Sequence, residues 1–465
     1  MTRLWEEEGA DLERVTDEAR IFVWGIIQMA EQGIAEQLLF NSATSGKSGR
    51  CFSLIPSPRS LIPLQWAHFG PGAISDALAN TPCHTLDVDG VLRTLNDVLG
   101  SDHTLAMPGL RPCLEHFLCT SQDFGYLYGI FRGHWHADFV CLLSDLSRKQ
   151  VRDEEMRRNV LREGYIKDSN IRPRRAWDLY SNRVLPYYAL PSHPCVQIPD
   201  NLWTVSHSWV SPEERAEVWT PINGSKWPVP LPHATSLDHI RVELLNFGAE
   251  YVWLDVLCLR QKGRPEDEEQ RKDEWKLDVP TIGSIYALPS VPCITYFNGL
   301  GLVADASEEA SSSDRHWYNR VWTVQEYSTA WLPGGATGAS STAHESLYCR
   351  YSITMNPVEL ASRNNPSSDL FTLSYVYDMM RKRHATTELD RVFGLAYVFG
   401  CKTLPVYDEG CSPDLALAML FKHIPASTRT SIFLQHIEAH PDDTAILLSI
   451  LPSWNQLMGW AMVPA

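Results

Sequence analysis

Between about residues 200 and 335 short apolar runs alternate with helix-type segments, a pattern few architectures accept. Residues 251–257 (YVWLDVL) are almost continuously apolar, as suits a strand buried on both faces of a parallel sheet. Residues 202–210 and 291–297 read as further strands. Between the first two, Thr235-x-x-Asp238 resembles a capping box, opening a helix with Leu237, Ile240, Leu244 and Phe247 on one face and Gly248 as its stop. A short helix is expected over 280–288. A longer one is expected behind Asp314, carrying Trp317, Val321, Trp322, Val324 and Glu326 and stopped by Pro333-Gly334-Gly335. The expected class is α/β, a parallel-sheet domain in the centre flanked by mainly helical regions.

The flanks are less regular. Residues 19–40 carry apolar side chains at mostly helical spacing, 41–50 form a polar loop, and the mixed charges of 147–168 read as a solvated helix. The charge run at 263–278 reads as a solvated loop or helix face. These shifts divide the chain into an N-terminal, mainly helical region (1–195) of unassigned fold, a central domain (196–335), and a mainly helical C-terminal region (336–465).

Charge narrows the function. Forty Lys and Arg against 56 Asp and Glu leave a net charge of −16, which argues against a nucleic-acid partner, since such a protein needs a basic face to neutralise phosphates. No run reaches the ~20 apolar residues of a membrane span. The acidic start lacks the apolar core of a secretory leader, and eleven scattered Cys show no disulfide framework. A cytoplasmic setting with reduced thiols is expected.

Several chemical-looking motifs carry little. Gly46-Lys47-Ser48 ends like a phosphate loop, but Asn41 stands where the loop's first glycine belongs. Cys113, His116 and Cys119, with His134 and His136 downstream, have zinc-like density but not the paired spacing of a structural site, so no metal is expected. No nucleophile elbow is present. Ser206 and His207 are neighbours on a strand, so they point to opposite faces and cannot pair as nucleophile and base.

Three ordered blocks are more specific: Ser206-His207-Ser208-Trp209; residues 253–261 (WLDVLCLRQ); and residues 320–326 (RVWTVQE). Together they resemble the fungal heterokaryon-incompatibility (HET) domain over about residues 200–332. Residues 174–186 look like a lead-in seen ahead of some members, and residues 386–398 (TTELDRVFGLAYV) like the segment that commonly follows the domain. The chain departs from the family pattern in lacking a glycine after Trp209 and in carrying Leu259-Arg260 where Ile-Asn is usual.

The resemblance implies a flavodoxin-like fold remotely akin to Toll/interleukin-1-receptor (TIR) domains, and a role in non-self recognition and programmed cell death, akin to innate immunity. Two mechanisms follow from it. The domain is either a death-inducing adaptor clustered by an unidentified protein partner, or an NAD+-cleaving hydrolase assembled by clustering as a homo-oligomer. No cofactor is implied, NAD being a substrate in the second case. NAD-cleaving TIR domains carry their essential glutamate in a Trp-x-x-x-Glu helix, which Trp322 and Glu326 resemble. Catalytic roles thus fall on Glu326 and Asp255, and ligand contacts on Ser206, Trp209, Trp253 and Trp322, while His207, Cys258, Gln261 and Gln325 complete the motif. The same residues have structural readings: Trp253 and Trp322 as core aromatics, Asp255 as a cap or a partner of Arg260 or Arg320, Glu326 as a partner of Arg320, and Cys258 as a packed thiol.

Overall fold

A computed structural model describes residues 62–191, 201–288, 291–305, 307–326, 330–335 and 380–430, with residues 52–53, 199, 328 and 432 besides. The expected helix within 19–40, the phosphate-loop-like 41–50 and most of the C-terminal region lie outside the described residues.

The protein is mixed α/β around one six-stranded sheet. In chain order its strands are β1 (Arg175–Asp178), β2 (Arg183–Pro186), β3 (Leu202–His207), β6 (Tyr251–Leu254), β7 (Cys293–Tyr296) and β8 (Trp331–Pro333). The intervening β4 (Arg215–Val218) and β5 (Val229–Pro232) form a separate antiparallel pair. The sheet order is β8-β7-β3-β6-β1-β2. β8, β7, β3 and β6 are mutually parallel, and β1 joins β6 antiparallel, with β2 antiparallel to β1 at the edge. Every residue of β3, β6 and β7 is buried, as the near-continuous apolar run of β6 predicts for that strand. The sheet therefore takes in β1 and β2, which precede the expected domain start at 196.

Among the described residues, four helices longer than a single turn precede the sheet: α1 (Val88–Leu99), α2 (Leu110–Thr120), α3 (Phe124–Arg132) and α4 (Phe139–Val160). Their apolar faces share a core with Ala176, Leu185, Leu202 and Tyr251 of the sheet. Arg132 of α3 staples this layer down: it pairs with Asp178 at 2.7 Å and Glu250 at 3.1 Å, and lies 4.5 Å from the rings of both Tyr180 and Tyr251. Helix α5 (Leu237–Asn246) crosses over between β3 and β6. Its cap is Ser236, whose hydroxyl accepts from the His239 N–H, one residue along from the expected Thr235; Gly248 follows it in the left-handed region at φ 90°, where glycine is strain-free.

The charge run at 263–278 is not solvated throughout, contrary to expectation. It folds as a short 3-10 turn and helix α7 (Glu268–Asp278), following the single turn α6 (Asp255–Cys258). Arg271, Glu274 and Asp278, at helical spacing, turn inward. Arg271 bonds Glu268 and Glu409, Glu274 takes Arg175 at 2.6 Å, and Asp278 takes Arg174 at 2.8 Å. Mixed charge looked solvated because its partners lie on β1, on the chain leading into it and near residue 409. Truncating Glu274 to Ala should leave Arg175 without its carboxylate, at a cost of about 3–5 kcal/mol measurable by denaturant unfolding.

Helix α8 (Ile282–Tyr286) falls within the expected 280–288 segment. The long helix behind Asp314 does not form. In its place stand 3-10 turns at Trp317–Asn319 and Trp322–Val324, and the segment expected to end it is strand β8. Beyond residue 379, the described part of the C-terminal region holds helices α9 (Glu388–Phe393) and α10 (Pro413–His423). Among the described residues no helix is long and apolar enough to cross a membrane.

Candidate functional site

The carboxyl ends of the parallel strands bring the motif blocks together. Ser206 and His207 close β3 opposite Thr295 and Tyr296 of β7, and Leu254 of β6 pairs with Val205, so Asp255 emerges at the same edge. Strand alternation sends the two β3 side chains to different partners. Ser206 donates its hydroxyl proton to Glu326 Oε2 at 2.6 Å and accepts from the Trp317 indole at 2.7 Å. His207 Nε2 lies 2.8 Å from Asp255 Oδ1. The Trp209 indole donates to Asp255 Oδ2 at 3.2 Å, and the Val256 N–H to Oδ1 at 2.7 Å. Asp255 thus heads α6 and holds His207, and it forms no ion pair with Arg260 or Arg320 among the described residues.

Asp255 and Glu326 open onto one cavity of about 650 Å³, within the usual size of a small-ligand site. His207, Trp209, Trp253 and Trp322 line it too, whereas Ser206 stands behind Glu326 and is not part of the wall. Trp253 is buried edge-on to Tyr286 at 5.6 Å, and Trp209 stacks on His207 at 6.0 Å. The opening lies where strand order reverses: from β3 the chain steps to β6 on one side, then crosses to β7 and β8 on the other. Ligands of open α/β sheets collect at such a place.

The two carboxylates are held in different states. Burial drives the Glu326 carboxyl up to about 7, helped by the neighbouring Asp255 charge and opposed by the Ser206 hydrogen bond and by His207 and Arg320. Among the described residues no cation forms an ion pair with it; the expected Arg320 pairing is not made. Burial also works to raise Asp255, but the His207 charge, the His207 hydrogen bond and the donors Val256 and Trp209 more than reverse it, leaving it below the ordinary value. For His207, burial lowers and Asp255 raises, and the pair wins. Its Nδ1 faces the Ser208 carbonyl at 3.1 Å, so both ring nitrogens meet acceptors, as an imidazolium requires.

These directions fix signs. The raised His207 value makes its contribution to stability fully present below about pH 6.5 and lost as pH rises past its folded value. The lowered Asp255 value makes its contribution present above about 3.8 and lost as pH falls past its folded value. Glu326 holds its proton more tightly folded than unfolded, so it draws stability away between about pH 4.5 and 7.

Gln261, Gln325 and Cys258 complete the motif. Gln261 lines the cavity while its amide donates to the Leu259 carbonyl at 3.0 Å. Gln325 is buried, and its amide has no partner among the described residues. Cys258 is buried, its thiol pushed up to about 12 by burial, which leaves no thiolate at neutral pH. In the native protein Cys258 should resist alkylation while the exposed Cys119 and Cys141 react, a contrast that peptide mapping after brief iodoacetamide treatment reads directly. The Cys113 thiol donates into the N-terminal core, to the Phe139 carbonyl at 3.2 Å, and among the described residues no three metal-ligating side chains converge.

Trp322 and Glu326 do not share a helix face. Trp322 starts a 3-10 turn and Glu326 lies beyond its end, yet both reach the same cavity. The reason is local: the Thr323 hydroxyl donates to the Trp317 and Arg320 carbonyls at 2.7 Å each, and Arg383 donates to the Arg320 carbonyl at 2.7 Å. Side chains therefore take carbonyls that a helix would have used. Sequence reasoning also missed Trp317 as a site residue, and the wall supplied by His384, Thr386, Asp390 and Tyr407. The resemblance of 386–398 to a family segment was the available signal.

Comparison with known protein families, with curated proteins and with solved structures finds no match for this chain.

Proposed function

We propose that this chain is a HET-type protein of fungal non-self recognition, acting in the cytoplasm, whose central domain cleaves the N-glycosidic bond of NAD when a protein partner clusters it. The reading rests on one observation above all: Glu326, a carboxylate without an ion pair among the described residues, opens beside Asp255 into a tryptophan-walled cavity at the sheet's carboxyl edge. The parallel order β6-β3-β7-β8 supports a TIR-like relationship, since it matches the flavodoxin order 2-1-3-4.

In this reaction the bond between ribose C1′ and the pyridinium nitrogen breaks. The electron pair leaves with neutral nicotinamide, and positive charge develops on the ribosyl C1′–O4′ unit. Glu326 in its ionised form stabilises that charge. Water then adds to C1′ and releases its proton, giving ADP-ribose. The cationic ring favours the ionised carboxylate, so kcat/KM should rise about tenfold per pH unit below about 7 and flatten above it. The chain from the Trp317 N–H through the Ser206 O–H to Glu326 supports the charged form. Ser206→Ala should accordingly move that break upward by on the order of one pH unit, read from the pH profile.

The test is induced expression of wild type or Glu326→Ala in a fungal host. NAD loss and death with wild type alone support the reading. Death with both and NAD untouched would overturn it in favour of a non-catalytic adaptor.

A further inference from the structure

The cavity also carries three arginines that the mechanism above does not use for bond cleavage. Arg215 opens β4, Arg315 precedes the 3-10 turn at Trp317–Asn319, and Arg320 follows that turn. They come from two separate segments of the chain and line one wall space with Lys262. Among the described residues none of the three makes an ion pair with a carboxylate. Arg320 is buried, at 7% exposure, and its guanidinium donates to the Thr386 hydroxyl at 3.2 Å. Arg215 lies 5.1 Å from the centre of the Trp209 ring. Nearby acids are otherwise engaged or in solvent: Asp314 takes His384 at 3.0 Å, Asp390 takes Tyr407 at 3.0 Å, and Glu213 is exposed.

Three guanidiniums near one another repel, and burying one without a carboxylate carries a desolvation cost. Burial lowers Arg320 first, and Arg315 and Arg215 lower it further, against partial support from Asp390 and Glu326. A chain with a net charge of −16 has ample acid to neutralise such a cluster. An arrangement that leaves the cluster without a carboxylate in direct contact among the described residues is complementary to an anion, and planar guanidinium forks match phosphate oxygens.

We infer that Arg215, Arg315 and Arg320 form the seat for the diphosphate of a nucleotide ligand. This deepens the preceding proposal and rests on it for the nucleotide that carries the phosphates; the anion seat itself stands on the arginines. Arg320 anchors, being buried and tied to Thr386, while Arg215 and Arg315 close from the more exposed side. The acid pair and the arginines then divide one ligand between them, cationic ring to Glu326 and diphosphate to the arginines.

Calorimetric titration of the full chain tests this with ADP-ribose, inorganic pyrophosphate and adenosine. Wild type is expected to bind ADP-ribose more tightly than pyrophosphate or adenosine, and less tightly as salt rises. Arg315→Gln, at a partly exposed position, should weaken ADP-ribose about tenfold or more and leave adenosine unchanged. Arg320→Gln should do the same if thermal unfolding shows it folded. Equal ADP-ribose affinity in wild type and Arg315→Gln, or no measurable binding by wild type, would overturn the seat; pyrophosphate binding as tight as ADP-ribose would overturn its assignment to a nucleotide. Arginine-dependent ADP-ribose binding in a protein that cleaves no NAD would overturn the hydrolase reading alone.

Discussion

Glu326→Gln is expected to lower the kcat of NAD cleavage about 10²–10³-fold or more while leaving the fold in place. The amide oxygen can still accept the Ser206 hydrogen bond, which spans 2.6 Å in the native protein, so the local geometry survives. What disappears is the negative charge facing the developing cation. Loss of kcat with little change in KM would mark an interaction made in the transition state. The mutant should also lose the fall in stability between about pH 4.5 and 7 that the buried carboxyl imposes on the native protein. Rate and pH–stability profile together separate the missing charge from simple misfolding.

Asp255→Ala carries an expected cost in stability of about 3–5 kcal/mol. It strands the buried His207 imidazole, whose Nε2 sits 2.8 Å from the carboxylate, and removes the acceptor for the Trp209 and Val256 donors. Urea unfolding at pH 6, where the native pair is charged, should show the difference in full. Raising the pH past the folded value of His207 should narrow it, because the native protein then loses the imidazolium that the pair stabilises. A difference that stays constant from pH 6 to 9 would mean that the pair is not charged in the native protein.

How far the sequence displayed this architecture depends on whether a feature is local. Strand β6 is readable because a fully buried parallel strand needs an unbroken apolar run, which 251–254 supplies, while β3 and β7 show as short β-type runs around 202–207 and 293–296. Strand β8 was not: three residues ending in Pro333 carry no period, and Gly334-Gly335 reads as a stop. The segment 314–326 has helical spacing, yet its carbonyls go to Thr323 and Arg383, and residues 319–321 pair with the backbone of His384. That partner lies some sixty positions along the chain, where no local period can announce it. Likewise, β1 and β2 join across a tight turn in which Asn182 adopts a φ of 53°, a conformation asparagine tolerates better than most residues.

The site was legible in part for the same reason. Ser206, Asp255 and Glu326 stand out in the sequence because they sit late in strands or in ordered motif blocks, and the structure joins Ser206 to Glu326 and sets Asp255 on the same cavity. Trp317 gave no sign of its bond to Ser206, since a buried indole on a helical period reads as core. The arginines gave none either. Arg215 and Arg315 stand in separate, irregular segments, and only folding makes them neighbours of Arg320.

The most direct test of the central claim is product analysis on the purified full chain, crowded at high density on a vesicle surface and incubated with NAD. The expected result is release of nicotinamide and ADP-ribose in equal amounts, at a rate that rises with pH toward about 7 and levels off above it. NAD left intact by protein that is folded, crowded and able to bind ADP-ribose would contradict the assignment of Glu326 to glycosidic cleavage.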